Sequence, residues 1–101
     1  MEVSGKIIKK DPGEVIEAVC KYYQIGKRAI LGDSRARPVA RPRQMLMYLL
    51  RTDLGIPLDE VGRLVGGRDH TTVMHAVEKI TELATTDVNI REDMSKIKLG
   101  I

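Results

Sequence analysis

Apolar residues recur at every third or fourth position along most of this 101-residue chain, which is the period of an α-helix. The first such segment follows Asp11, a residue type that favours the N-cap, and Pro12, which suits the first helical position. The pattern predicts a helix that begins at residue 12. Its apolar face consists of Val15, Ile16, Val19, Cys20 and Tyr23.

The middle of the chain combines a basic loop with a long helix. The stretch "GKRAILG" predicts a short turn of helix closed by Gly32. The stretch "DSRARPVA" predicts a loop, because Pro38 disfavours a helical conformation at Arg37. The stretch "RPRQMLMYLLRTDL" predicts a strong helix that begins a few residues before Pro42. This proline would then lie in the first turn, where its missing N–H costs little.

Two further helices joined by a glycine-containing turn follow. The pattern predicts a short helix over residues 58–65, a tight turn at Gly66 and Gly67, and a longer helix over residues 70–84. This combination has the form of a helix-turn-helix. A last amphipathic helix completes the chain. Its expected inward residues are Val88, Ile90, Met94 and Ile97.

These elements predict an all-α fold of about six helices. The domain would span residues 12–101, after a lead-in or linker remnant at residues 1–11. The composition agrees, because Phe and Trp are absent and three Tyr are the only aromatic residues. A core of aliphatic residues suits packed helices better than a β-sandwich.

The single cysteine, Cys20, excludes an internal disulfide and is consistent with a reducing cytoplasm. Its apolar neighbours predict a buried small hydrophobic residue. No apolar run approaches the roughly 20 residues that a membrane span requires.

The positive charge is concentrated in one part of the chain. Residues 27–51 carry seven basic residues and one acidic residue, Asp33, for a net charge of +6, whereas the whole chain has only +3. A solvated face usually mixes both signs, so this asymmetry favours one electropositive face and an anionic partner.

The stretch "GGRDHTTVMHA" places many hydrogen-bonding side chains at the start of the second helix of the helix-turn-helix. On a helical wheel Thr71 and His75 fall opposite the apolar face, and Thr72 flanks them. Such residues contact base edges in the major groove when a helix-turn-helix binds DNA. Simpler interpretations remain: Asp69 as the N-cap, the threonines as capping or surface residues, and His75 as a surface histidine.

The sequence indicates neither a metal site nor a catalytic site. His70 and His75 are five residues apart and do not face one ion together on a helix. No HExxH pattern, no cysteine pair and no GxxxxGK[ST] phosphate-binding loop occurs. We therefore expect no enzymatic activity, no metal and no cofactor in this chain.

The stretches "VARPRQM" and "GGRDHTTVMHA" together resemble the C-terminal DNA-binding domain of the bacterial chromosomal replication initiator, the DnaA family. The resemblance extends over about residues 14–99. It implies a Trp-repressor-like helix-turn-helix that binds A/T-containing nine-base-pair boxes of a replication origin, in the cytoplasm at the nucleoid. A full-length family member also carries an ATPase module, so ATP is expected only there.

The resemblance also implies roles for individual residues. Arg35 is the best match to the arginine that enters the minor groove, with Arg37 nearby, and Pro38 departs from the family pattern and leaves the choice open. The expected base-contacting residues are Arg35, Leu58, Asp69, His70, Thr71 and Thr72. The expected phosphate-contacting residues are Arg37, Arg43, Gln44, Arg51, Arg68 and His75. For Arg68, holding the turn is a second option.

Double-stranded DNA is thus the expected partner, bound by a monomer. Acidic phospholipid or regulatory proteins are further candidates, the former because of the lysines in "GKIIKK". Two alternative functions remain open. One is a transcription regulator or transposon-linked protein with the same domain, and the other is a helical module that docks on an acidic protein or lipid surface.

Overall fold

A computed structural model describes residues 11–32 and 37–101, with the side chain of Arg37 excepted. Within these residues the chain forms helices and turns and no strand. The all-α prediction is confirmed. The six helices of this part of the chain are α1 Pro12–Tyr23, α2 Lys27–Leu31, α3 Arg37–Thr52, α4 Leu58–Leu64, α5 His70–Thr86 and α6 Val88–Leu99.

Helix α1 begins as the sequence predicted. The Asp11 carboxylate accepts a hydrogen bond from the Gly13 backbone N–H at 3.4 Å, and the Glu14 carboxylate accepts one from the Asp11 N–H at 3.3 Å. This reciprocal pair is a capping box. Cys20 is only half-buried, and partial burial raises the pKa of its thiol. Cys20 packs against the core as predicted, but its burial is only partial.

Helix α3 lies at the centre of the domain and packs against α1, α2, α4 and α5. Its side chains from Met45 to Leu50 are buried, except that of Tyr48, which is partly buried. The long apolar run "MLMYLL" is therefore the middle of the core and not the stripe of a surface helix.

The start of α3 corrects the prediction at two prolines. The helix already includes Arg37 and Pro38, which were expected in a loop, and Pro42 is its sixth residue instead of part of its first turn. A proline at the second helical position is tolerated because the first N–H groups have no partner within the helix. Pro42 is buried and has no N–H, so α3 lacks one backbone hydrogen bond at its second turn.

Helix α5 packs against α3 and α4, and helix α6 packs against α1 and α5. Asp87 ends α5 and begins α6, where its carboxylate accepts from the Asn89 N–H at 2.9 Å. Both hydroxyls of Tyr22 and Tyr23 donate to the Asp93 carboxylate, at 2.5 and 3.3 Å, which ties α1 to α6. The bond to Asp93 raises the pKa of Tyr22 to about 12.

The inward face of α6 was predicted correctly apart from its first residue. Ile90 and Ile97 are buried and Met94 is partly buried, whereas Val88 is 53% exposed. Val88 directly follows the N-cap, where the helix has not yet reached its packing surface. None of the helices in residues 11–32 and 37–101 combines the length and apolarity needed to cross a bilayer.

Candidate nucleic-acid interface

The N-terminus of α5 is capped by Asp69. Its Oδ1 accepts a hydrogen bond from the Thr72 backbone N–H at 2.9 Å, and that bond is the main cause of a lowered pKa at the Asp69 carboxyl. The capping interpretation of Asp69 is confirmed. A carboxylate has several lone pairs, so one oxygen remains geometrically able to accept from another donor.

Polar side chains on the first two turns of α5 point away from the core. His70, Thr71, Thr72 and His75 are all exposed. The opposite side of the same helix is buried through Val73, Ala76 and Ile80. The helical-wheel prediction is thus confirmed. The N-terminal end of α5 exposes polar side chains, and its opposite face packs into the core.

The turn between α4 and α5 is held by backbone hydrogen bonds to one glycine. The N–H groups of Gly67 and Arg68 both donate to the carbonyl oxygen of Gly62, at 2.9 and 2.8 Å. Gly66 and Gly67 have φ angles of +79° and +80°, which glycine adopts without strain. The tight turn predicted from the two glycines is confirmed.

Gly62 itself was not singled out from the sequence. A Cβ atom at this position would lie 1.8 Å from the carbonyl oxygen of Arg68. The turn therefore folds back directly onto α4, and only glycine leaves room for it. The signal that could have indicated this was a glycine inside a predicted helix, where glycine is less favourable than alanine by about 1 kcal/mol.

Arg68 connects the turn to the end of α2. Its Nη1 donates to the carbonyl oxygen of Val65 at 2.5 Å and lies 3.5 Å from that of Leu31, and its Nη2 donates to that of Gly32. This is the turn-holding role that the sequence analysis gave as one of two options for Arg68.

Arg43 has a structural position that the sequence did not reveal. Its side chain is only 7% exposed. Its Nε donates to the carbonyl oxygen of Ile30 at 2.7 Å and its Nη2 to that of Ala29 at 3.0 Å. The Arg43 guanidinium, which was expected to contact a phosphate, thus binds the carboxyl end of α2 and anchors α2 to α3.

A shallow groove, here called the α3–α5 groove, runs beside the exposed end of α5. It contains three cationic side chains and, among the described residues, no carboxylate. Gln44 lines it and accepts a hydrogen bond from Arg41 at 2.9 Å. Lys79, an exposed residue that the sequence analysis did not include among the contacts, extends the groove past His75. The lining consists of Ala40, Arg43, Gln44, Met47, Arg68, Thr72, His75, Ala76 and Lys79.

A second depression lies at the other side of the α5 N-terminus. Arg51, Leu58 and His70, three of the expected contact residues, line it together with Pro57 and Asp59. The Arg51 guanidinium donates to the carbonyl oxygen of Ile56 at 3.2 Å.

Asp59, which also lines this depression, lies in the first turn of α4, whose N-cap is Pro57. Its carboxylate accepts a hydrogen bond from the Glu60 N–H at 2.9 Å.

The structure thus brings most of the expected contact residues to one side of the domain, around the N-terminus of α5. Arg35 lies outside the described residues. Arg37 begins α3, so its backbone belongs to a helix and not to the predicted loop.

The comparisons with known proteins point in one direction. Residues 12–80 match the family model described as the bacterial DnaA protein helix-turn-helix. The matched segment runs from the start of α1 into α5 and contains every described residue of the groove and the depression.

Full-length relatives show the same likeness. The chain is 41% identical over 87 residues to the chromosomal replication initiator protein DnaA of Thermomicrobium roseum, covering 86% of this chain and 19% of that protein. It is 46% identical over 85 residues to that of Herpetosiphon aurantiacus, covering 84% and 18%. It is 47% identical over 88 residues to that of a Ruegeria species, covering 87% and 19%. The chain thus spans about a fifth of the length of these relatives.

Proposed function

Because the chain belongs to the family of bacterial DnaA helix-turn-helix domains, we propose that it binds double-stranded DNA in a sequence-specific manner at A/T-containing boxes of a replication origin, in support of the initiation of chromosomal replication. The observation that carries this proposal is the exposed polar end of α5, which a tight glycine turn presents on a buried apolar base.

The dimensions and chemistry of that helix end suit the major groove. The groove of B-DNA admits one α-helix, and each base pair there presents a distinct set of donors, acceptors and methyl groups. Thr71 and Thr72 supply hydroxyl and methyl groups, and His70 and Asp69 supply ring nitrogens and a carboxylate. With α5 inserted end-on, these side chains meet the base edges first.

The surroundings of α5 suit the sugar-phosphate backbone. The α3–α5 groove lies along one side of the helix, and its Gln44, His75 and Lys79 side chains line it. Arg51 lies at the depression on the other side. A helix that enters the groove between two backbones needs donors and cations on both flanks, and this arrangement provides them.

The basic stretch before α3 supplies the third part of the proposal. An A/T-rich minor groove is narrow and concentrates negative potential, which attracts a guanidinium. Arg35 is the side chain that we propose for this role, because Arg37 belongs to helix α3.

A competition experiment tests the proposal as a whole. A labelled duplex that carries one box is bound by the protein and challenged with unlabelled random DNA or with the same duplex after the box is scrambled. We expect the complex to survive a large excess of either competitor and to yield to the unlabelled box. Equal competition by all three duplexes would refute sequence-specific binding.

Replacement of the recognition threonines should reduce specific binding selectively. Thr71→Ala removes a hydroxyl and a methyl group from the exposed end of α5, and we expect a loss of about 1–3 kcal/mol for the correct box and little change for random DNA. Thr72→Ala should behave similarly, and the alanine keeps the backbone N–H that donates to the Asp69 carboxylate. Titration of box and random duplexes with each variant provides the measurement.

Thr85→Ala is the matched control, because Thr85 is exposed on the same helix about four turns away. It should bind both duplexes like the unchanged protein. If Thr71→Ala weakened box and random duplexes equally, Thr71 would position the domain and not read the sequence.

The minor-groove contact makes a separate prediction. Replacing the A·T pairs at one end of the box by G·C places an amino group on the groove floor and should weaken binding of the unchanged protein. Arg35→Ala should be almost insensitive to that replacement, whereas Arg37→Ala should lose affinity uniformly and retain the A·T preference. The opposite pattern in binding titrations would assign the groove to Arg37, and full sensitivity of both variants would exclude a minor-groove arginine.

A further inference from the structure

The carboxyl end of α2 is held by two arginines from different elements. Arg43 from α3 donates to the carbonyl groups of Ala29 and Ile30. Arg68, in the turn between α4 and α5, contacts the carbonyl groups of Leu31 and Gly32. The last carbonyl groups of a helix have no partner within it, so this end requires donors from elsewhere. The arginines supply them, and α2 is too short to fix its own position.

Arg68 joins three parts of the molecule that the proposed DNA contact needs in register. Its side chain links Val65, at the end of α4, with Gly32, the C-cap of α2. Its backbone N–H donates to Gly62 in α4 at 2.8 Å. The next residue, Asp69, is the N-cap of α5.

The backbone itself shows how close these parts lie. A Cβ atom on Gly66 would be 2.0 Å from the carbonyl oxygen of Leu31. The turn and the end of α2 therefore touch backbone to backbone, and the Arg68 guanidinium is partly buried over that contact. A displacement of either part must move the other or break these hydrogen bonds.

We propose that Arg68 is a positioning residue that couples the two DNA-reading parts of the domain, by holding the entry to the basic segment at Gly32 in fixed relation to the N-cap of α5. This inference rests on the proposed function. The planar guanidinium donates to carbonyl groups on two elements at once, which the single ammonium of lysine does not reproduce. Loss of these paired guanidinium bonds should therefore weaken the discrimination between base pairs at both ends of the box, although Arg68 itself need not contact a base.

The test measures two affinity ratios for the unchanged protein and for Arg68→Lys. One ratio compares the box with a duplex whose A·T end is changed to G·C, and the other compares it with a duplex changed at the base pairs read by α5. A changed base pair typically lowers affinity about tenfold. In Arg68→Lys we expect both ratios to fall to about threefold or less, at a temperature where thermal unfolding shows the variant folded.

Arg63→Lys is the matched control, because Arg63 is an exposed arginine on α4 that pairs only with carboxylates of its own helix among the described residues. It should keep both ratios. A second variant, Arg68→Gln, serves as an independent test of a direct phosphate role. A phosphate contact predicts equal loss on box and random DNA and a salt slope that is smaller by about 0.9.

The outcomes separate the inference from the function on which it rests. If Arg68→Lys lowers the melting temperature but keeps both ratios, Arg68 only stabilises the fold and the coupling is refuted. If only the ratio for the base pairs read by α5 falls, the coupling is also refuted. It is refuted as well if Arg68→Gln keeps both ratios but loses affinity equally on box and random DNA, with a smaller salt slope. If the unchanged protein does not distinguish the box from a scrambled duplex, the proposed function fails first.

Discussion

Gly62→Ala is expected to lower the free energy of unfolding by on the order of 3 kcal/mol, near the upper end of the range for overpacked sites. The new Cβ would lie 1.8 Å from the Arg68 carbonyl oxygen, so backbone has to move. The same movement would disturb the bonds from the Gly67 and Arg68 N–H groups to the Gly62 carbonyl. Urea denaturation followed by circular dichroism gives the free energy directly.

The variant also makes a prediction for binding. Because the turn sets the direction of α5, Gly62→Ala should weaken box binding even at temperatures where it remains folded.

Gly13→Ala is the control, since its added Cβ would meet nothing closer than 3.7 Å and Gly13 lies in the first turn of α1. That change should be neutral or stabilise by about 0.5 kcal/mol. A Gly62→Ala protein as stable as Gly13→Ala would show that the turn shifts without cost.

Arg43→Met should destabilise the domain by about 3 kcal/mol, although it removes only one charge from a basic chain. Two hydrogen bonds from the guanidinium to the carbonyl groups of Ala29 and Ile30 disappear, and each bond to a charged group is worth about 1.5–3 kcal/mol. Methionine retains an apolar stem of similar length, so the loss reports on the guanidinium more than on packing.

Arg41→Met provides the comparison for Arg43→Met, because it removes the same charge two residues away. Among the described residues the Arg41 side chain makes one hydrogen bond, to the Gln44 side chain, so its loss should cost less than the loss of the two Arg43 bonds. The two variants are compared by chemical denaturation and by the salt dependence of DNA binding.

If Arg43→Met were no less stable than Arg41→Met, and its salt slope were smaller by about 0.9, Arg43 would bind phosphate as the sequence analysis expected. A stable protein with an unchanged slope would contradict both roles.

Much of the helical architecture follows from local patterns. Asp11 was predicted as an N-cap and an N-cap was one of two interpretations of Asp69, and both carboxylates accept the first-turn N–H bonds that capping requires. The outward position of Thr71 and His75 also followed from helical geometry alone. Capping and amphipathicity depend on residues within a few positions of each other, so the sequence displays them directly.

The prolines show where local rules stopped short. Pro38 predicted a loop at Arg37, yet α3 includes both residues. The preference against a helix before proline is modest, and the packing of α3 at the centre of the domain outweighs it. Val88 shows the converse, since its apolar side chain belongs to a predicted inward face that the packing does not reach.

What the sequence by itself determined is the set of helices, the family resemblance and the exposed polar end of α5. Only the tertiary structure decided the roles of Gly62, Arg43 and Arg68. Each depends on a carbonyl group that belongs to another element: Gly62 on that of Arg68, Arg43 on those of α2, and Arg68 on Gly32. A residue type does not reveal which distant backbone oxygen it meets, because that is set by how the helices pack.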